Sequence, residues 1–252
     1  MLRSSSPVKD CGLSGSRRLR LASTAIGAGS NARGLSRKIP PGAPDLDKAV
    51  ESTRLIVVTG TPGVGKTRFS RLLAKKLGAV HVDLGVLATR KKLIIGFDKV
   101  RQTYIVDTEK MARALKEALL HSHGNVILDG HFATDVVPSE LLDTAFVLRC
   151  HPEKLKRRLI RRKIPKRKIA ENVRAEILDV CLWDAVNSYG LDQVCEIDLS
   201  AKKTVAAVAQ AMKVLENRLK RRVGIVDWLV LLERKGLLGK YFNELSNRGS
   251  VE

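Results

Sequence analysis

Short apolar runs alternate with amphipathic stretches from residue 54 to residue 220, and this alternation predicts the secondary structure. Consecutive Val, Ile and Leu residues are typical of parallel strands that are buried on both faces. Strands are predicted at residues 54–59, 79–83, 125–129, 144–149 and 194–199. Helices are predicted at residues 67–77, 84–90, 107–122, 152–164, 166–189 and 202–220, whereas residues 91–106 give no clear pattern. The alternation predicts an α/β fold with a doubly wound parallel sheet.

The first 50 residues differ in composition from the rest of the chain. Residues 1–44 are rich in Ser, Arg and Gly, lack a helical or strand period, and contain Asp10 as their one acidic residue. Such a segment cannot bury a core, so we predict that residues 1–50 form a disordered basic extension. Three interpretations stay open: an organelle transit peptide, a basic arm that contacts RNA, or a translation start assigned too far upstream, which we favour slightly.

The α/β domain is predicted at residues 51–220, and residues 221–252 form a terminal segment of different character. Residues 223–238 are strongly apolar and predict a short amphipathic helix that contains Trp228. This helix either packs onto the domain or presents Trp228 to a partner. Packing is the expected outcome, because exposed apolar patches of this size are rare.

A Gly-rich segment follows the first strand directly and matches the phosphate-binding loop pattern G-x-x-x-x-G-K-[ST], as Gly60-Thr61-Pro62-Gly63-Val64-Gly65-Lys66-Thr67. The glycines Gly60, Gly63 and Gly65 allow the backbone to point N–H groups at an anion. Lys66 can reach the outer phosphates, and the Thr67 hydroxyl is placed to ligate Mg²⁺. The pattern therefore predicts a site for a nucleoside triphosphate rather than a turn without a ligand.

A second acidic motif, Asp129-Gly130-His131, ends the strand predicted at residues 125–129. In a P-loop sheet such an aspartate holds Mg²⁺, directly or through water, so we predict that role for Asp129. The alternative is a helix cap or turn residue. His131 would point into the same site and position a hydroxyl or stabilise charge; a structural hydrogen bond is an equal alternative.

Residues 154–168 form the densest basic run of the chain. Most such runs are solvated helix faces. Here Leu155 and Leu159 would anchor one helical side, and Pro165 breaks the helix, which fits a lid that closes over ATP. We expect Arg162, and then Arg158, to bind phosphate oxygens, because guanidinium groups pair with them bidentately.

The formal net charge of +20 indicates polyanionic partners such as RNA or a ribonucleoprotein, although an added basic tail gives the same number. The cysteines, Cys11, Cys150, Cys181 and Cys195, form no C-x-x-C pair, which argues for reduced thiols rather than a zinc ribbon. No apolar run is long enough to span a membrane, so we expect a cytoplasmic protein without a membrane partner.

The motifs occur in an order that resembles one family: the P-loop, Asp129-x-His131, Val147-Leu148-Arg149, Arg158-Leu159-x-x-Arg162, and Glu171-Asn172-Val173-x-x-Glu176-Ile177. From about Arg54 to Arg218 the chain resembles the archaeal proteins named putative adenylate kinases, which are related to the nuclear adenylate kinase isoenzyme six of eukaryotes. The resemblance implies a P-loop fold with a five-stranded parallel sheet, a segment that binds a nucleoside monophosphate at residues 83–106, and a lid at residues 161–171.

The resemblance also implies site residues, activities and partners. ATP would be contacted by Gly63, Gly65, Lys66, Thr67 and Arg68, with Arg162 reaching it from the lid. The implied activities are ATP:AMP phosphotransfer and ATP hydrolysis, and the implied partners are a small-subunit ribosomal protein and rRNA. Three residues depart from the family pattern: Arg68 stands where relatives often have a small hydroxyl residue, Arg90 stands one place late, and Lys163 replaces a common glycine.

The leading hypothesis is a kinase that transfers phosphoryl from Mg·ATP to AMP or a related monophosphate. Its catalytic residues would be Lys66, Asp129, His131 and Arg162, and in-line transfer needs no covalent nucleophile. One alternative is a ribosome-assembly ATPase whose nucleotide cycle remodels a ribonucleoprotein. Another is a small P-loop kinase with a different acceptor.

Overall fold

A computed structural model describes residues 26–27, 54–99, 103–120 and 124–242 of the chain. The strands are β1 (Ile26–Gly27), β2 (Leu55–Thr59), β3 (Val80–Asp83), β4 (Ile94–Asp98), β5 (Thr103–Val106), β6 (Val126–Asp129), β7 (Thr144–Arg149) and β8 (Val194–Asp198). The helices are α1 (Lys66–Leu77), α2 (Leu84–Arg90), α3 (Thr108–Leu120), α4 (Ala133–Val136), α5 (Pro152–Arg161), α6 (Lys166–Ile177), α7 (Val180–Tyr189), α8 (Thr204–Leu215), α9 (Trp228–Arg234) and α10 (Gly239–Phe242). Apart from β1, the extension predicted at residues 1–50 lies outside the described residues.

A five-stranded parallel sheet in the order β3-β6-β2-β7-β8 forms the centre of the domain, which confirms the predicted α/β class. Every residue of β2 is buried. Ile56 and Val58 belong to one apolar cluster, whereas Leu55 and Val57 belong to another. Because successive side chains of a strand point to opposite faces, the sheet is covered on both faces.

The strand register brings the predicted site together at one edge of the sheet. Val58 of β2 is opposite Asp129 of β6, and Asp129 is opposite Asp83 of β3. The P-loop leaves β2 directly after Thr59. Parallel strands end at the same edge, so the loop and both carboxylates lie where P-loop sheets bind their ligand.

Residues 91–106, for which the sequence gives no clear pattern, contain an antiparallel hairpin of β4 and β5. Strand β1 pairs with β5 on its other side. The exposed face of the hairpin carries Ile95, Phe97 and Tyr104, with 60%, 46% and 40% of their surfaces accessible. Apolar residues on the solvent face remove the alternation that marks an exposed strand, and this explains why the hairpin was missed.

Three predicted helices differ from the structure. The helix predicted at residues 166–189 is broken into α6 and α7, because Asp179 adopts a left-handed conformation with φ of +56°. The helix predicted at residues 202–220 ends at Leu215. The helix predicted at residues 223–238 is the short α9, followed by α10.

The terminal segment packs onto the domain. Trp228, Leu232 and Tyr241 are buried in the same apolar cluster as Val64 of the P-loop and Leu155 of α5. The prediction that this segment packs rather than presents Trp228 is therefore confirmed. Within the described ranges, no helix combines the length and the apolar character that crossing a membrane requires.

Candidate active site

The P-loop, residues Gly60–Thr67, is packed so closely that glycine is required at its tight positions. Gly60 has a φ of +134°, and a Cβ there would lie 2.5 Å from the carbonyl oxygen of Leu148 in β7. Gly63 has a φ of +101°, and its Cβ would lie 2.8 Å from Cδ2 of Leu159 in α5. Residues with side chains rarely adopt these conformations. The loop is thus held between the sheet and α5 by its own backbone.

Lys66 lies in the first turn of α1 and is bound to the loop that surrounds it. Its Nζ donates hydrogen bonds to the carbonyl oxygens of Gly60 at 2.7 Å and Thr61 at 3.3 Å. Burial lowers the pKa of Lys66, and the Asp129 carboxylate is the strongest of the charges that oppose this shift. A polyphosphate would provide the anionic partner that the ammonium group lacks in the loop.

Two adjoining cavities lie at the P-loop and share Gly63 and Arg162 among their lining residues. The first cavity has a volume of about 200 Å³, and its lining includes Lys66, Thr67, Asp83, Asp129, His131, Lys168 and Asn172. The second cavity has a volume of about 390 Å³, and its lining includes Gly65, Arg68, Arg158, Arg161, Lys202 and Thr204. The P-loop is therefore accessible from two sides that differ in chemistry.

The charges of the two cavities differ. The second cavity is lined by four arginines and Lys202, and no carboxylate is found among the described residues that line it. Such a lining favours a polyanion. The first cavity combines Lys66 with Asp83 and Asp129, so it can hold a cation as well as a phosphate group.

Asp129 is the buried carboxylate of the first cavity, with only 3% of its surface exposed. The Nε2 atom of His81, on the neighbouring β3, lies 3.4 Å from its Oδ2 atom. His131 lines the same cavity, and its ring packs edge-on against that of Phe132 at 5.4 Å. The structure thus brings Asp129 and His131 to one cavity and places His81, which lines neither cavity and was not predicted, beside Asp129.

Asp83 is a second carboxylate of the first cavity, and it was predicted only as the first residue of the monophosphate-binding segment at residues 83–106. It ends β3 opposite Asp129 and caps α2, because its Oδ1 atom accepts a hydrogen bond from the Gly85 N–H at 2.9 Å. The signal was present in the sequence, since Asp83 ends a predicted strand as Asp129 does. The strand order that makes the two aspartates neighbours was not predicted.

Arg158 and Arg162 lie at the end of α5 that faces the P-loop. The Nη1 atom of Arg158 donates a hydrogen bond to the carbonyl oxygen of Val64 at 2.6 Å. Arg162 follows α5, is exposed, and lines both cavities. Arg158 is thus held against the loop, whereas Arg162 keeps a solvated guanidinium group where the two cavities meet.

Comparison with known proteins identifies the family. Residues 56–179 match the family described as "AAA domain". A protein of Thermococcus onnurineus named "Putative adenylate kinase" is 38% identical over 174 residues, which are 69% of this chain and 91% of that protein. Proteins of the same name from Methanocaldococcus jannaschii and Saccharolobus islandicus are 36% and 32% identical, over 92% and 100% of their own lengths and 69% and 76% of this chain. The chain belongs to the family of these proteins named "Putative adenylate kinase".

Membership in this family of kinases makes the chain a phosphotransferase with a P-loop NTPase fold. Among solved structures, shikimate kinase from Bacteroides thetaiotaomicron aligns with a TM-score of 0.45 and 20% identity, over 65% of this chain and 98% of that chain.

Residues 161–171, predicted to form the lid of this adenylate-kinase-family protein, comprise the last residue of α5, a connection at residues 162–165 and the first half of α6. Lys163, which stands where a glycine is common, has a φ of +55°. Glycine adopts such a conformation without strain. Lys163 therefore replaces the common glycine at a position where the backbone favours glycine. Lys168 and Asn172 of α6 are buried and line the first cavity.

The residues predicted to bind Mg²⁺ fit that role in their chemistry and placement. Thr67 and Asp129 provide hydroxyl and carboxylate oxygens, the ligands that Mg²⁺ prefers, and both line the first cavity. Among the residues that the structure describes, no group of three or more His, Cys, Asp or Glu side chains could hold a metal by itself. In proteins Mg²⁺ is usually bound by one or two carboxylates together with substrate phosphates, and this pair of side chains suits that arrangement.

The predicted site residues divide between the cavities as follows. Lys66, Thr67, Asp129 and His131 line the first, whereas Gly65, Arg68 and Arg158 line the second, and Gly63 and Arg162 line both. Gly60 lines neither cavity, and its carbonyl oxygen accepts from Lys66.

Proposed function

We propose that this chain is an ATP-dependent nucleoside monophosphate kinase that converts ATP and AMP to two ADP and hydrolyses ATP in the absence of an acceptor. The observation that carries the proposal is the pair of cavities that meet at Gly63 and Arg162. The charged residues that line the second cavity are all cations, whereas the lining of the first includes the carboxylates of Asp83 and Asp129. Two substrates can then approach the P-loop from different sides. The relatives named adenylate kinases support AMP as the acceptor.

The second cavity would take the donor nucleotide. Arg68, Arg158 and Arg161 would face its phosphates, while the N–H groups at the start of α1 and the Lys66 ammonium bind the outer phosphates. Lys66 would exchange its hydrogen bonds to two carbonyl oxygens for bonds to phosphate oxygens. The loop therefore orients the donor with groups that are already in place, which lowers the cost of reorganisation during transfer.

The first cavity would take the reacting end of the donor and the acceptor. Thr67 and Asp129 would hold Mg²⁺, which neutralises charge on the phosphates when bound. Arg162, at the junction of the cavities, is placed to stabilise negative charge on the transferring group. His131 would orient the attacking oxygen, with α2 and the β4–β5 hairpin beside the acceptor.

A second function, in ribonucleoprotein assembly, is favoured by the surface of the hairpin. Phe97 and Tyr104 are exposed, and their rings contact each other edge-on at 5.3 Å. Lys92 and Lys99 are exposed nearby, and the whole chain has a formal net charge of +20. Exposed aromatic rings stack on unpaired bases, and cations attract phosphates. We infer that small-subunit rRNA or a ribosomal protein is a candidate partner for an assembly ATPase in the cytoplasm.

An acceptor panel separates these functions and a kinase with another acceptor. The full chain is incubated with Mg·ATP and each of AMP, CMP, GMP, UMP, shikimate and a single-stranded RNA, and ADP formation is measured. AMP kinase activity predicts ADP formation that depends on AMP. Hydrolysis that RNA or ribosomal proteins stimulate, and that every monophosphate leaves unchanged, would contradict it.

Lys66→Ala controls for contaminating kinases in this assay. The variant should lose activity by about 10³-fold or more, because it removes the main cation on the transferring phosphates. Lys75→Ala, an exposed lysine of the same helix, is the matched control and should retain full activity.

A further inference from the structure

Glu176 is a buried carboxylate that joins α6 to three other parts of the chain. Its Oε2 atom accepts a hydrogen bond from the Thr61 hydroxyl of the P-loop at 2.6 Å. Its Oε1 atom accepts from Arg149 Nε at 3.0 Å, from the Cys150 N–H at 2.9 Å and from the indole N–H of Trp228 at 3.1 Å. Through this one side chain, the P-loop is connected to the terminal segment.

The carboxylate depends on these donors because its surroundings contain little positive charge. Arg149 is buried and pairs with three carboxylates, those of Glu176, Glu196 and Asp179. Burial raises the pKa of Glu176, and Arg149 is the strongest of the groups that oppose the shift. Removal of a neutral donor from a shared, buried carboxylate is therefore costly.

On the P-loop side, the carbonyl group of Thr61 accepts a hydrogen bond from Lys66 and so helps to position it. The Thr61 carbonyl oxygen accepts from Lys66 Nζ at 3.3 Å and from the Val64 N–H at 3.2 Å. Its hydroxyl is fixed by Glu176, and Thr61 is 1% exposed. A rotation of this residue would therefore move the carbonyl group that positions Lys66.

On the other side, the C-terminal segment, residues 225–242, contacts both α5 and α6, the helices before and after Arg162. The Trp228 ring packs edge-on against His151 at the start of α5, with the ring centres 5.3 Å apart. The Arg174 Nε of α6 donates to the Tyr241 carbonyl oxygen at 2.7 Å. The segment thus packs Trp228 against the start of α5 and also contacts α6.

We propose that Trp228 and Glu176 are positioning residues for the P-loop, through which the C-terminal segment sets the geometry of Lys66 for the triphosphate. The Trp228 indole orients the Glu176 carboxylate, and the carboxylate orients the Thr61 hydroxyl. The proposal rests on the proposed function only in that the loop binds Mg·ATP, and it does not depend on the acceptor.

A double-mutant cycle on the full chain tests this proposal. Trp228→Phe retains the ring and removes the N–H, and Thr61→Val retains the shape and removes the hydroxyl. Each variant should raise the Kd for Mg·ATP, measured by calorimetry, by about tenfold, the effect of one hydrogen bond to a charged group. Because both changes act through Glu176, the double variant should bind only about as weakly as the weaker single variant.

Two controls distinguish positioning from general stability. Trp183→Phe changes a tryptophan that is 63% exposed and should leave the Kd unchanged. Thr61→Ser restores the hydroxyl and should recover most of the affinity. It also keeps the test decisive if Thr61→Val does not fold. In the Trp183→Phe background Trp228 is the one remaining tryptophan, and its fluorescence should change on Mg·ATP binding.

The proposal is overturned if Trp228→Phe lowers the melting temperature but leaves the Kd for Mg·ATP unchanged. It is also overturned if the effects of the two single changes multiply in the double variant. If the coupling is found but AMP is not phosphorylated by the wild-type chain, the proposed function fails while the positioning role stands.

Discussion

The donor and acceptor sides of the candidate site are built from different kinds of contact. On the donor side, Arg158 is bonded to the Val64 carbonyl oxygen and Thr61 is bonded to the buried Glu176. The β4–β5 hairpin, part of the segment at residues 83–106 that is predicted to bind the acceptor, exposes the rings of Phe97 and Tyr104. The P-loop is fixed by buried polar groups, whereas the hairpin presents exposed aromatic rings.

This difference separates the triphosphate site, which P-loop proteins share, from the acceptor or partner surface, which varies among them. A triphosphate is bound through backbone N–H groups and cations at fixed positions, so a rigid loop suits any donor of this class. Under the proposed function, the acceptor or partner would be selected by side chains of the hairpin, whose aromatic rings Phe97 and Tyr104 are exposed. We therefore expect changes on the donor side to affect every activity, and changes on the hairpin to affect only some.

After the loss expected for Lys66→Ala, the largest expected effect is that of Asp129→Asn. Loss of the carboxylate charge should lower turnover by about 10²-fold or more and raise the Mg²⁺ concentration required for half-maximal activity. The measurement is initial velocity over a Mg²⁺ titration, with the exposed Asp192→Asn as the matched control. Full turnover with an unchanged Mg²⁺ requirement would remove Asp129 from the reaction.

A smaller effect is expected from pH, through Lys66. Because burial lowers the pKa of Lys66 in the free protein, the ammonium group loses its proton below its ordinary value of 10.5. A bound triphosphate favours the charged form, so binding should take up a proton and affinity should fall as pH rises through the lowered pKa. The thiols of Cys150 and Cys181 do not interfere, since burial raises the pKa of each to about 11.

Calorimetry in two buffers of different ionisation enthalpy, repeated at several pH values below 10.5, measures this uptake. The same shift has a consequence for stability. The folded chain binds fewer protons than the unfolded chain between the lowered pKa and 10.5, so the stability of the ligand-free protein should rise with pH across that window. Binding without proton uptake would show that Lys66 stays fully charged in the free loop.

The smallest expected effect is on ATP binding when the hairpin is changed. The double variant Phe97→Ser with Tyr104→Ser should leave the Kd for Mg·ATP within about twofold, because both side chains are exposed and line neither cavity. The dependence of its ADP formation on the acceptor or on RNA should change instead. A large loss of ATP affinity would mean that the hairpin and the donor side are not independent.

Features that depend on neighbouring residues could be predicted from the sequence. The P-loop, the parallel strands and the glycine at position 78 that ends α1 each have a local signature, and each is present in the structure. The break between α6 and α7 could not be predicted, because the apolar spacing continues through it. It occurs where Asp179 pairs with Arg149, and that contact joins residues far apart in the sequence.

The residues of the site also divide into those with a local sequence pattern and those brought in by distant contacts. Asp129 and His131 follow a clear strand, whereas His81 joins them only because β3 and β6 are neighbours in the sheet. Glu176 lies in a motif that the resemblance singled out, but its link to Thr61 crosses 115 positions of the chain. Residues joined by tertiary contacts alone carry no local pattern, so no reading of spacing would have paired them.

The most direct test of phosphotransfer follows the γ-phosphoryl group itself. The wild-type chain, in excess over ATP labelled at the γ position, is mixed with Mg²⁺ and AMP, and the products are separated at short times. Label that appears in the β position of newly formed ADP before it appears as inorganic phosphate is the result expected of an AMP kinase. Label released only as inorganic phosphate, at a rate that AMP does not change, would contradict it.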